Sequence, residues 1–336
     1  MALSLALILL GGLLALSFAS TFSINRRHPP EGCFHALAEN KSRLNRIHLV
    51  NRDARAKPAI SDVVLIHGAF ASMGDQLLAL ADVLCKRYRV IAVDRPGQGW
   101  SDRPGKARDA SPSRQARLLH EALRAQGVER AVVIGHSFGA AVAAALALEH
   151  PSFVIGIVFV APATHPWPGG IAWHYRLPAL PVIGPIFAGL FAPVLGPLLL
   201  RPGIEAVFRP QPPPKDYSER AGAPLSITAR RLRANGQDVA KLKRHLVALS
   251  ARYREIKVPC VIVTGDADRT VWPAIHSHGL AHDVEGAKLV VLEGVGHMPH
   301  HARPDAIMAA VDEIVARTAA QVEPREGIAS EPERRS

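Results

Sequence analysis

Residues 131–150 read AVVIGHSFGAAVAAALALEH, and this stretch decides the fold. Residues 131–134 form one short apolar run, which suits a strand covered on both faces. Residues 138–150 are rich in alanine and stop before Pro151, which suits a helix. Between them stand Gly135, His136, Ser137, Phe138 and Gly139. A serine nucleophile must stand exposed on a tight strand-to-helix turn, and such a turn needs small residues at both flanks. The helix that follows aims free backbone N–H groups and the positive end of its dipole at the developing oxyanion. A bare G-x-S-x-G is a weak signal; between a strand and a helix it is much stronger.

Outward from this turn the same alternation continues. Residues 63–66 (VVLI), 90–93 (VIAV), 155–160 (IGIVFV), 260–264 (CVIVT) and 289–292 (LVVL) are further near-continuous apolar runs. Helical patterns lie between them. Residues 113–126 carry Ala116, Leu119, Ala122 and Leu123 after a serine start and before Gly127, and residues 302–320 fit a closing helix. The pattern predicts a doubly wound α/β fold with a mostly parallel sheet. Residues 31–58 supply a leading pair of strands, with His48, Leu49 and Val50 as the best part. The core is expected over 31–161 and 255–320, and residues 162–254 interrupt it as an inserted helical cap. Within the cap, residues 177–200 carry no charge, five prolines and three glycines. Prolines at that density argue against one straight spanning helix. The plain reading is short helices packed over the sheet; the functional one is a hydrophobic lid or a membrane-dipping surface. Residues 321–336 are highly charged and are expected to be a disordered tail.

The chain has 336 residues, 48% apolar and 21% charged, which excludes a disordered or collagen-like protein. Its net charge of +11 is unevenly placed. Residues 1–24 carry no charge, residues 26–57 carry +5, residues 201–254 carry +8, and the remainder sums to −2. The uncharged segment, MALSLALILLGGLLALSFASTFSI, is long enough to cross a bilayer. A cleaved signal peptide is the rival reading, with Ser17, Phe18 and Ala19 as a loose cleavage site; no basic residue precedes the run. Residues 1–25 are therefore expected to be an anchor. Arg26, Arg27, Lys41, Arg43 and Arg46 all follow it, which places the catalytic part in the cytoplasm. Cleavage would instead export the enzyme. Both basic segments are expected to face an anionic leaflet, where each basic residue is worth about 1 kcal/mol. No motif supports nucleic-acid binding. Cys33, Cys85 and Cys260 have neither disulfide nor zinc spacing and read as small buried side chains.

Two partners for Ser137 follow it in the chain. Asp268 lies in TGDADRTV (264–271) at the end of a strand, and His297 lies in GVGH (294–297) after the next. The order Ser, Asp, His is the one expected of this sheet architecture. The chemistry is acyl transfer: His297 takes the Ser137 proton, and Asp268 holds the imidazole tautomer. Asp266 reads as a structural turn residue. His300 and His301 adjoin His297 but show no carboxylate or cysteine at ligand spacing, so no metal is expected. One oxyanion donor is the Phe138 backbone N–H. The other comes from the loop at 67–72 (HGAFAS), from Ala69 or Phe70, with His67 as scaffold. The loop DRPGQGWS (94–101) lacks the lysine of a phosphate loop and reads as a structural turn, with Ser101 as a hydrogen-bonding residue.

Together HGAF, DRPGQGWSD, GHSFGA, GDADRTV and GVGHMPH resemble the α/β-hydrolase superfamily over about residues 31–320. They are most similar to its group of serine esterases, cofactor-free haloperoxidase-like enzymes and carbon–carbon bond hydrolases. The resemblance implies the same roles for Ser137, Asp268, His297 and the oxyanion backbone, a helical cap after the sixth strand, and no cofactor. Members with an Asp nucleophile are set aside by Ser137. The anchor and the apolar cap depart from many soluble members and point to a membrane-associated hydrolase of lipophilic esters, with membrane lipid as partner. Carbon–carbon hydrolysis of a diketone is the alternative. It needs Arg230, Arg231 or Arg233 to hold a carboxylate, and all three read first as solvated surface groups. A membrane-tethered binding protein on an inactive hydrolase fold is the non-enzymatic reading.

Overall fold

The computed structural model describes residues 2–38, 45–56 and 60–322. Its strands are β1 (Cys33–Ala36), β2 (Arg46–Arg52), β3 (Asp62–Ile66), β4 (Arg89–Val93), β5 (Ala131–His136), β6 (Val154–Val160), β7 (Cys260–Gly265) and β8 (Lys288–Leu292). They form one sheet of order β1-β2-β4-β3-β5-β6-β7-β8. β1 and β2 pair antiparallel, as do β2 and β4; every other pair is parallel. Each apolar run read from the sequence is a strand.

The apolar runs are continuous because both faces are covered. Val64, Ile66 and Val133 point to the layer holding α3 (Pro112–Ala125) and α4 (Phe138–Glu149). Val63, Leu65, Val132 and Ile134 point to the opposite layer, with α2 (Met73–Leu84) and α11 (Pro304–Val322). Two helix starts differ from expectation. Ser111, not Ser113, caps α3: its hydroxyl accepts from the Arg114 N–H at 3.4 Å, and Pro112 opens the helix without needing a donor. The closing helix begins at Pro304, because proline cannot continue the short α10 (Pro299–Ala302). Between β7 and β8 lies α9 (Ser277–Asp283).

The residues between β6 and β7 hold α5 (Trp173–Ala179), α6 (Ile183–Phe208), α7 (Tyr217–Arg220) and α8 (Ala229–Ser250). α5 and α6 pack on α8. α6 is broken: its parts Ile183–Leu190 and Val194–Phe208 are inclined by 84°. Val182, Ile183, Ile186, Leu198 and Leu199 on it and beside it are exposed. The N-terminal α1 (Ala2–Arg27) lies against α6, and its part Ile8–Arg27 is long and apolar enough to cross a membrane by length and composition. Leu5, Ile8, Leu9, Leu14, Phe18 and Phe22 of α1 are exposed, while Ile24 at its foot is buried. Cys85 and Cys260 are buried, Cys33 is half-buried, and all three thiols are free. Lys41, Arg43, Lys57 and the tail at 323–336 lie outside the described residues.

Candidate active site

β5 ends at His136 and α4 begins at Phe138, so Ser137 alone makes the turn. Its backbone is held at φ 50°, ψ −115°, a strained setting for a residue with a Cβ. The flanking glycines are required by contact. A Cβ at Gly135 would fall 2.6 Å from the Gly139 carbonyl oxygen, and one at Gly139 would fall 2.7 Å from that of His67. Among the described residues the Ser137 hydroxyl makes no hydrogen bond.

Asp268 and His297 meet on the loops after β7 and β8. His297 Nδ1 lies 2.7 Å from Asp268 Oδ2, and both residues are buried. Asp268 Oδ1 accepts from the Thr270 and Val271 N–H groups at 2.8 and 2.9 Å, which fixes the carboxylate plane. Asp266 instead accepts from the Gly294 N–H at 2.7 Å and shapes the β8 loop, as a turn residue does. His136, next to the serine, donates from Nε2 to the His297 carbonyl oxygen at 3.0 Å. The elbow and the histidine loop are thereby tied together.

The loop after β3 runs over the elbow: a Cβ on Gly68 would lie 3.2 Å from the Ser137 Cβ. Arg95 braces this loop from below. Wholly buried, it donates to the His67 and Gly68 carbonyls, each at 3.0 Å, and lies 4.3 Å over the Phe138 ring. Asp238 of α8 answers its charge at 2.8 Å and also holds Arg103 at 2.7 Å. With the Gly68 carbonyl turned to Arg95, the planar peptide turns the Ala69 N–H the opposite way. The Phe70 N–H is occupied, donating to Asn235 Oδ1 at 2.8 Å. Among the described residues the Ala69 and Phe138 N–H groups carry no hydrogen bond. His67 is scaffold: Nε2 accepts from the Arg95 N–H at 3.0 Å, Nδ1 faces the Gly68 carbonyl, and burial with Arg95 nearby pushes its pKa down to about 4.

Several residues of this site carried no signal in sequence. Arg95 lies in a loop that reads as a structural turn, and Asn235 and Asp238 lie on α8, inside the stretch that reads only as an inserted cap. Gln211, just past α6, donates to the Gly294 carbonyl at 2.7 Å and accepts from the Gly296 N–H at 3.1 Å, clasping the His297 loop. Gly296 must be glycine here, because any Cβ would collide with the Arg209 carbonyl.

The histidines at 300 and 301 have a carboxylate after all. Asp75 of α2 lies 3.0 Å from His300 Nε2 and 2.8 Å from His301 Nε2, and accepts from the Tyr217 hydroxyl at 2.8 Å. The sequence reading missed it because the partners are 225 and 226 residues apart. Burial pushes the Asp75 carboxyl up, and His300 and His301 more than offset it, holding it well below the usual carboxylate range. These donor atoms lie within 4.8 Å of one another, a spacing that can hold a cation. The carboxylate already accepts three hydrogen bonds of its about four possible ones, which suits a structural network joining α2, α7 and α10.

The arginines set aside for a diketone carboxylate behave differently from one another. Arg230 is exposed and bonds Asp102 at 3.2 Å. Arg231 is not a solvated surface group; it is buried, donating to the Gly99 carbonyl, to Asn25 Oδ1 at 3.0 Å and to Thr228 Oγ1 at 3.0 Å. Local helix pattern could not show that α1 would cover it.

Comparison with known proteins agrees with this fold. The family model described as the alpha/beta hydrolase family matches residues 63–310. An uncharacterised protein of Mycobacterium tuberculosis is 28% identical over 279 residues, covering 77% of this chain and 76% of that one. Among solved structures, a bacterial membrane phospholipase A superposes with a TM-score of 0.64 at 21% identity, covering 95% of this chain and 97% of that one. The enol-lactonase of Burkholderia xenovorans LB400 superposes with a TM-score of 0.62 at 21% identity, over 84% and 100% of the two chains. With the sheet order, the elbow at Ser137 and the family match in agreement, the chain belongs to the alpha/beta hydrolase family.

Proposed function

We propose that this protein is a membrane-anchored serine hydrolase that cleaves lipophilic carboxylic esters through an acyl-enzyme. The observation that carries the reading is the buried Asp268–His297 pair, whose loop is tied through His136 to the strained turn that holds Ser137. In the first half-reaction Ser137 Oγ attacks the ester carbonyl carbon and gives its proton to His297 Nε2. The Ser137 hydroxyl has no hydrogen bond among the described residues, so the proton transfer requires Ser137 and His297 to close on each other when substrate binds. Asp268 holds the Nδ1–H tautomer and stabilises the imidazolium. The oxyanion accepts from the Ala69 and Phe138 N–H groups, since Asn235 occupies that of Phe70. The tetrahedral intermediate collapses, and the leaving alcohol takes the proton from His297. Water, deprotonated by the same histidine, then frees the acid and restores Ser137.

A lipophilic substrate is supported by α1 and α6, which lie together and expose large apolar side chains. The insert between β6 and β7 would act as the cap over the site and α1 as the anchor, with the catalytic part on the cytoplasmic side. The basic residues after α1 support that side. The test is a panel of p-nitrophenyl esters of rising chain length on the detergent-solubilised enzyme, with fluorophosphonate labelling. Turnover should favour long chains, and Ser137→Ala should abolish both turnover and labelling. Unchanged turnover in folded Ser137→Ala protein would sink the reading.

A further inference from the structure

The two basic segments of the chain meet at one place. A cleft of about 460 Å³ opens at the foot of α1, lined by Thr21 and Asn25 of that helix, by Trp100, and by Arg46, Arg230 and Arg231. Its volume is within the usual range for small-ligand sites, about 300–1,000 Å³. Arg46 comes from the first basic segment and the other two arginines from the second.

The charges in this cleft do not balance. Arg46 and Arg230 share one carboxylate, Asp102, at 3.3 and 3.2 Å. Arg231 has only neutral acceptors, the Gly99 carbonyl, Asn25 Oδ1 and Thr228 Oγ1, and lies 5.0 Å over the Trp100 ring. Among the described residues, the three guanidinium groups thus have one carboxylate, Asp102, as a hydrogen-bond partner. Burial, with Arg230 beside it, pushes the Arg231 pKa down to about 10, so it stays cationic at neutral pH; the one carboxylate that acts on it, Asp94, is hydrogen-bonded to His48 and to the Met73 and Trp100 N–H groups instead. A planar guanidinium fork is the side chain best shaped to take phosphate oxygens in pairs.

The position of the cleft selects the kind of anion. Thr21 and Asn25 are on the last turns of the segment Ile8–Arg27. Trp100 donates from its indole N–H to the His28 carbonyl at 3.1 Å, so an aromatic ring sits where the helix ends. Tryptophan is enriched at that depth, where lipid headgroups lie.

We propose that this cleft binds the phosphate-bearing headgroup of an anionic phospholipid, which would seat the cap on the membrane surface. The proposal rests on the reading of α1 as membrane-inserted. Phosphate is the chemistry recognised, and the source is separable by experiment. The full-length protein in neutral detergent is titrated with dihexanoyl phosphatidylglycerol, dihexanoyl phosphatidylcholine and glycerol phosphate, reading the binding constant by calorimetry and the shift in melting temperature. Phosphatidylglycerol should bind at least about tenfold more tightly than phosphatidylcholine. Arg230→Gln should weaken it roughly fivefold and Arg46→Gln by a similar factor. Arg233→Gln, on the same helix but outside the cleft, should leave it unchanged. Equal binding of the two lipids overturns the site. An equal loss in Arg233→Gln also overturns it, because diffuse surface charge then suffices. Glycerol phosphate binding as well as phosphatidylglycerol overturns the lipid source. Flotation with neutral vesicles separates the two readings. Protein that floats but shows no headgroup preference refutes the cleft alone, whereas protein that fails to float refutes the membrane reading beneath it.

Discussion

Replacing Asp268 with Asn changes one group in the site and almost no volume. Asp268 Oδ1 accepts two backbone N–H groups, those of Thr270 and Val271, while Oδ2 faces His297 Nδ1. An asparagine keeps its oxygen on the two backbone donors and therefore turns its NH₂ toward His297. Nδ1 must then accept, which leaves the proton on Nε2, where Ser137 needs a base. Turning the amide over restores the tautomer but sets an NH₂ against two buried N–H groups. At about 1–3 kcal/mol for each unsatisfied donor, that costs about 2–6 kcal/mol. At about 1.4 kcal/mol per decade, either route slows acylation by about 30-fold to 10⁴-fold. Loss of the charge that stabilises the imidazolium moves the expectation to the upper part, about 10³-fold to 10⁴-fold in kcat/KM. The assay is the initial rate on a p-nitrophenyl ester, with the denaturant midpoint and near-UV dichroism confirming the fold. Fluorophosphonate labelling should slow in parallel, because it needs the same proton transfer. A folded Asp268→Asn protein retaining more than a tenth of wild-type kcat/KM would refute the reasoning.

Three further outcomes are expected. Gln211→Ala removes both bonds that clasp the His297 loop, and should lower kcat/KM by about three- to tenfold while costing about 1 kcal/mol of stability; an unchanged rate would mean the loop holds itself. Asp238→Ala leaves Arg95 and Arg103 without their shared carboxylate, and should cost about 3–5 kcal/mol in chemical denaturation. A cost below 1 kcal/mol would show that water reaches Arg95. The protein should also lose stability in mild acid. His67 and His276 each accept a backbone N–H on one ring nitrogen, and burial first, with neighbouring positive or titratable groups, pushes both pKa values down to about 4. A histidine with a depressed folded pKa takes its proton more readily unfolded. Its contribution is therefore complete above about pH 6.5 and is lost as pH falls toward 4. For His67 alone this amounts to roughly 3 kcal/mol. Denaturant midpoints that stay level from pH 7 to pH 4 would contradict it.

The sheet and the turn at Ser137 were legible because their signals are local. A strand buried on both faces must be apolar along its whole length, and residues 63–66, 90–93 and 131–134 announce themselves that way. The elbow is legible for a similar reason: neither Gly135 nor Gly139 has room for a Cβ. The environment around those residues was not legible. Whether Ala69 or Phe70 offers a free N–H depends on Asn235, 165 positions later. Arg231 reads as a solvated surface charge, yet it is buried and donates to Asn25 of α1, 206 positions earlier. Asp75 and His301 cannot be paired by any spacing rule, because three separate elements bring them together.

Read alone, the sequence yields a doubly wound hydrolase with an apolar N-terminal helix, and it carries Ser137, Asp268 and His297 in the order expected of this architecture. Packing is what makes Arg95 brace the Ala69 loop, Gln211 clasp the His297 loop, and Arg46, Arg230 and Arg231 face one cleft. The physical reason is range. Propensity, periodicity and turn sterics act within a few residues, whereas hydrogen bonds and charges act between whichever residues packing brings within a few ångströms.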